Sequence, residues 1–176
     1  KMTMLRFTVK SITRTFFLLA LFTSGIFSQQ WVARVDWEHL DDRAFGIVTD
    51  VAGNIYVAGY VTKVATGEDM CLTKYNSAGI EQWRRTYDGP GHASDRAFGV
   101  VVDNSNNIII TGYSTGVGSQ ADFTTIKFNS EGSAEWIERY NAPINGDDRA
   151  FGIVVDRVGN IYVTGYIALV GNDIYT

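Results

Sequence analysis

The sequence predicts an all-β fold of repeated four-stranded antiparallel units, and three observations carry that expectation. One stretch is written three times: Asp42 to Tyr60 reads DRAFGIVTDVAGNIYVAGY, and it returns at Asp95 to Tyr113 and at Asp148 to Tyr166. The starts lie 53 residues apart both times, and the first and third copies agree at 15 of 19 positions. A fixed period of that size marks stacked supersecondary units, none of which buries its apolar surface alone. Second, the runs between turns are short and rich in β-branched and aromatic residues, and no window holds a helical period. Third, 18 glycines stand against two prolines, with 13% aromatic residues, a balance that suits a turn-rich β chain.

Taken in order, residues 1–28 read as a secretory signal. Lys1, Arg6, Lys10 and Arg14 form a basic lead, Phe16 to Phe27 is an apolar and small-residue run, and Ser28-Gln29 offers a cleavage point. Twelve residues fall short of the roughly 20 a membrane-spanning helix needs. A buried helix is the competing reading, disfavoured because no amphipathic partner pattern follows. Without this segment the chain carries 19 acidic residues against 11 basic ones, a net charge of −8. Such a surface argues against nucleic acid and anionic membrane as partners. Cys71 is the single cysteine, so a disulfide framework within the chain is excluded.

Residues 31–41 open with WVARVDW, whose Trp31 precedes its DRAFG by 11 residues, where Trp83 and Trp136 precede theirs by 12. This segment reads as an orphan fourth strand and entry loop. Residues 42–94, 95–147 and 148–176 are then two whole repeats and one partial repeat. In the first, strands are expected over Ala44 to Thr49, Ile55 to Tyr60, Met70 to Tyr75 and Gln82 to Tyr87. Asp50-Val51-Ala52-Gly53-Asn54 supplies a hairpin with the glycine at a positive φ. Asn76-Ser77-Ala78-Gly79 reads as a type I turn followed by a glycine bulge.

The first two strands of each unit are apolar on both faces, whereas a sheet with one wet face alternates. Both sides of each sheet must therefore be covered by the adjoining copy, which is the arrangement of blades in a β-propeller. Gly46, Gly59 and their copies are expected to allow close backbone approach near the central axis. An N-terminal strand that completes the last blade would hide an edge otherwise open to aggregation. The chain starts ahead of Met2 and its third copy stops partway, so it is read as a fragment forming an open arc with apolar faces exposed.

The combination D-x-x-G-N-x-Y-V-x-G, K-Y-N-x-x-G and a following Trp, across residues 31 to 176, resembles the SBBP beta-propeller repeat family. The second unit departs from it, with Asn106 at the turn glycine and Ile109 at the tyrosine; Asn tolerates a left-handed turn. The resemblance implies a propeller, a bacterial origin and an extracellular or surface address. It implies no particular activity.

Two places can carry chemistry. At the strand-entry loop Asp42-Arg43, Asp95-Arg96 and Asp148-Arg149 recur, with His39, His92 and Asn145 three residues earlier. These groups can ring one mouth of the channel, where oxygen and imidazole ligands from separate blades would hold a divalent cation. The structural alternative is an Asp–Arg pair, or an Asp-to-backbone bond, pinning each blade entry. The second place is the variable loop between strands two and three, Val61 to Glu68, Ser114 to Ala121 and Ile167 to Asn172, on the same face. Trp83, Trp136 and Trp31 are read as packing between blades in preference to stacking on sugar rings, and Asp50, Asp103 and Asp156 as Asx turns, not calcium loops. Lys74 and Lys127 are read as solvated strand ends, and Cys71 as a small buried residue.

No nucleophile elbow, zinc-protease helix or phosphate-cradling loop is present in the sequence. The expectation is a non-enzymatic binding or scaffolding module, secreted or at the cell surface. Its partners would be an extracellular glycan, peptide or protein and the remaining blades of the same protein, with no membrane span in the mature chain. No cofactor is expected; Ca²⁺ is the one candidate. The alternative is part of a propeller-based hydrolase or lyase with its site at the channel mouth, for which unlike residues would have to converge from different blades.

Overall fold

A computed structural model describes residues 16–23, 27–169 and 171–175. Every element among them is a strand. β1 (Phe16–Thr23) and β2 (Phe27–Val35) form a two-stranded sheet. β3 (Arg43–Thr49), β4 (Ile55–Lys63), β5 (Gly67–Tyr75) and β6 (Glu81–Tyr87) form the first blade, paired in chain order. β7 (Asp95–Val102), β8 (Ile108–Thr115), β9 (Ala121–Phe128) and β10 (Ala134–Tyr140) repeat it. β11 (Arg149–Val155), β12 (Ile161–Leu169) and β13 (Gly171–Tyr175) make the third sheet. All pairings are antiparallel.

The hairpins follow from their side chains. Asp50 Oδ1 accepts from the Ala52 and Asn54 N–H groups at 2.9 Å, and its Oδ2 accepts from Asn54 Nδ2 at 2.8 Å and from the Tyr56 hydroxyl at 3.1 Å. Asp103 and Asp156 bind their own turns in the same way. Each turn then needs one left-handed residue, met by Gly53 at φ 81°, Asn106 at 60° and Gly159 at 94°. Asn76 accepts the Gly79 N–H at 2.9 Å, with Gly79 at φ 79°, closing the type I turn and bulge that the sequence predicts.

The sheets stack face to face. One side of the first blade (Tyr56, Ala58, Met70, Leu72) and the opposing side of the second (Ala97, Ile108, Ile110, Ile126, Phe128) form a single core cluster. The other side of the first blade (Ile55, Val57, Val61, Cys71, Tyr75) is covered by Ala33, Val35 and Trp37. Strands β4 and β8 are accordingly buried on both faces for seven residues running. On β12 burial alternates instead, because among the described residues only one side of the third sheet has a neighbour. Tyr56 has no exposed surface, while Tyr162, the same position two units on, is 55% exposed. Outer-strand side chains lace adjoining blades: Trp83 Nε1 and Lys74 Nζ donate to Ser130 O, and Arg85 Nε donates to Gly132 O at 2.7 Å.

Three expectations are corrected here. The lysines are not solvated ends: Lys74 caps the neighbouring blade's turn and Lys127 pairs with Asp103 at 3.1 Å. Gly59, Gly112 and Gly165 do not serve an axial crossing. A bulge after Ala44, Ala97 or Ala150 of the inner strand lays a carbonyl over them, so a Cβ would sit 1.8–2.0 Å from the oxygen of Arg43, Arg96 or Arg149. The variable loops are shorter than read, since β4 and β5 pair out to Lys63 and Gly67.

The apolar run of the expected signal is, over Phe16–Thr23, a strand paired with β2, and its basic lead lies outside the described residues. Apolar runs of this length suit strand and helix alike by pattern.

Candidate functional site

Each blade is entered through a loop whose aspartate is committed to the backbone. Asp42 accepts from Trp37 N at 2.6 Å and Thr62 N at 2.9 Å. Asp95 accepts from Gly89 N at 2.6 Å and Thr115 N at 3.0 Å. Asp148 accepts from Ala142 N at 2.7 Å and Ala168 N at 2.9 Å. All three carboxylates are buried, and each joins an incoming loop to the second strand of the blade it opens. Burial raises the carboxyl pKa of Asp42 and Asp95, and the backbone donors offset this only in part. Trp37 thus holds the place of Gly89 and Ala142 in the entry loop, while the strand before it, β2, pairs with β1 and not with a blade.

The arginines that follow do not pair with these aspartates. Arg43 and Arg149 reach back one residue further, to Asp41 at 2.8 Å and Asp147 at 3.0 Å. The second unit has Ser94 at that place, and Arg96 instead donates a two-point bond to Glu68 of the first blade, at 2.6 and 2.7 Å. Burial raises the Glu68 pKa, but the Arg96 and Ser94 hydrogen bonds outweigh it and hold the carboxyl below its usual range. Two of the guanidiniums also lie over a tyrosine of the preceding blade, Arg96 on Tyr60 at 4.9 Å and Arg149 on Tyr113 at 4.5 Å. Beside them Phe45, Phe98 and Phe151 contact one another in succession, with ring centroids 5.0 and 5.2 Å apart.

His39 and His92 sit at the rim, 92% and 72% exposed, and each pairs with its own loop, His39 with Asp36 and His92 with Asp88. The Asp88 hydrogen bond raises the His92 pKa. Both histidines, like Asn145, have φ near +50°, so the position is first of all a left-handed turn. The described structure joins neither histidine to an entry aspartate.

Between the second and third blades these elements enclose an open cleft of about 510 Å³. Its walls include Arg96, Tyr113, Ser119, Gln120, Asp147 and Arg149. The cleft exists because Ala121 stands where the first unit has Glu68. At the earlier junction the glutamate crosses to the next blade's arginine; here a methyl group leaves the space open. Sequence reading singled out the two arginines and the 114–121 loop. It missed Asp147, Tyr113 and Glu68, although the Asp-Asp-Arg, Ser-Asp-Arg, Asp-Asp-Arg series and the Glu68/Ala121 difference carry the signal. It also missed Asp69, which recurs as Asp122.

Residues 135–167, which run from the last strand of the second blade into β12, match the family model described as SBBP, beta-propeller repeat. That stretch is an SBBP beta-propeller repeat. No curated protein matches the chain. The conspicuous residues of the repeated units are framework: the entry aspartate binds backbone, the hairpin aspartate closes its turn, and Cys71 is buried with its thiol pushed up to about 11 by desolvation. Three cleft residues, Ser119, Gln120 and Ala121, differ from Thr66, Gly67 and Glu68 at the same positions of the first unit. Among the described residues no helix is long and apolar enough to cross a membrane.

Proposed function

We propose that the chain is an exported, non-enzymatic binding module whose cleft between the second and third blades takes a hydroxyl-rich polar ligand of the glycan class. The carrying observation is the cleft itself, where repeat residues Arg96, Arg149 and Tyr113 meet copy-specific Ser119 and Gln120. Arg149 is already neutralised by Asp147 and Arg96 by Glu68, so the walls present paired, planar polar groups beside an aromatic ring instead of a net charge. Such walls suit neutral, hydrogen-bonding ligands. That both arginines are neutralised by carboxylates supports binding over catalysis, which needs unlike groups in defined roles. Export is supported by the basic lead and apolar run of residues 1–28. The uncovered side of the third blade, with Val154 and Tyr162 exposed, is proposed to receive a further blade.

The test is to express the chain with its leader in a bacterial host, recover it from the medium and apply it to glycan and peptide arrays. The secreted product is expected to begin after Ser28 and to bind a glycan, with Gln120→Ala and Arg149→Ala each weakening binding at least tenfold at an unchanged melting temperature. Retention in the cytoplasm overturns export. Peptide-only binding overturns the ligand class, and binding indifferent to both substitutions, or none, leaves a scaffold.

A further inference from the structure

At the junction of the first two blades three carboxylates, Asp69, Asp88 and Asp95, bring one oxygen each to within 4.8 Å of the others. Asp69 stands in β5, Asp88 just beyond β6, and Asp95 at the start of β7, so the framework of two blades sets their convergence. Asp95 is satisfied by Gly89 and Thr115 N–H. The other two are not. The Asp69 side chain has no exposed surface; Lys63 Nζ lies 2.7 Å from its Oδ2, out of hydrogen-bond alignment, and its Oδ1 meets no donor among the described residues. Asp88 Oδ1 is also buried without a donor there. Lys63 brings one positive charge to three carboxylates, and buried ionised carboxylates in excess of their cations are costly.

The second copy differs in its charges, although Asp122 Oδ1 there also meets no donor among the described residues. There the same positions are Asp122, Asn141 and Asp148, and Arg139 Nη2 reaches Asp122 at 2.6 Å. Thr86 stands at the Arg139 position in the first unit, and Lys63 supplies the cation from β4, where the second unit has Gly116. The second copy sets two carboxylates against one guanidinium; the first sets three against one ammonium. His92 pairs with the other oxygen of Asp88 at the rim, so Asp88 Oδ1 stays open.

We propose that Asp69, Asp88 and Asp95 form a site for a divalent, oxygen-preferring cation of the calcium class, clamping the first blade to the entry of the second. All donors are carboxylate oxygens, the ligand chemistry hard cations select. The site shares no residue with the polar cleft and stands or falls separately from it.

The test is a CaCl₂ titration of the metal-free full-length chain, followed by calorimetry and melting temperature. One equivalent is expected to bind, and at a hundredfold excess over Kd the melting temperature should rise by about 5 °C or more. Asp88→Asn gives the first copy the residue of the second, so the variant is expected to fold and to lose the rise or shift its midpoint at least tenfold. Asp69→Asn is the second variant, read in the same way. No rise with millimolar Ca²⁺, a rise with Zn²⁺ alone, or an unchanged midpoint in the variants would overturn the site.

Discussion

Replacing Tyr56 by alanine will cost about 3–5 kcal/mol of stability, while the same change at Tyr162 will cost under about 1 kcal/mol. The two tyrosines occupy one repeat position and donate to equivalent hairpin aspartates, at 3.1 and 3.2 Å. They differ in what covers them. Tyr56 packs against Trp83, with ring centroids 6.0 Å apart, and among the residues of the second blade. Tyr162 has no following sheet in the described structure and faces outward. Removing the first opens a cavity between two blades, whereas removing the second strips a side chain already half in water. Urea unfolding of both variants measures the contrast, and equal losses would mean that the hairpin bond, not the stacking, holds the position.

Asp148→Ala should cost about 2–4 kcal/mol, although the residue belongs to a surface loop. Its two oxygens satisfy the Ala142 and Ala168 N–H groups, and alanine leaves both without an acceptor. Hydrogen bonds to a charged group are worth roughly 1.5–3 kcal/mol, and an unpaired buried donor adds its own penalty. Asp148→Asn, which keeps one acceptor oxygen, should lose about half as much. Thermal melts that place Asp148→Ala within about 0.5 kcal/mol of the parent would return the entry aspartates to the list of ligand-binding groups.

The repeat made the blade readable because its constraints are local. A glycine or asparagine after Asp50, Asp103 or Asp156 fixes the hairpin whatever surrounds it, and two-faced apolar strands demand cover on both sides. The site was less readable because its geometry depends on residues that adjoin only after stacking. Arg96 meets Glu68 across 28 positions, and Arg149 lies over Tyr113 of another blade. The histidines drew attention by residue type, yet their positive φ shows that a turn selects them. Asp69 carried no local motif; only its alignment with Asp122, and the exchange of Lys63 for Arg139 as its partner, marks it.

The central claim, that each sheet hides its sides against adjoining copies, is tested most directly by thiol accessibility at one repeat position. Thr111 is fully buried between the second and third blades, and Thr164, the same residue one unit on, is exposed. In a Cys71→Ser background, the Thr111→Cys variant should resist a thiol reagent until the protein unfolds, and the Thr164→Cys variant should react at the rate of a free thiol. Rapid native-state labelling of both variants would contradict the stacked arrangement.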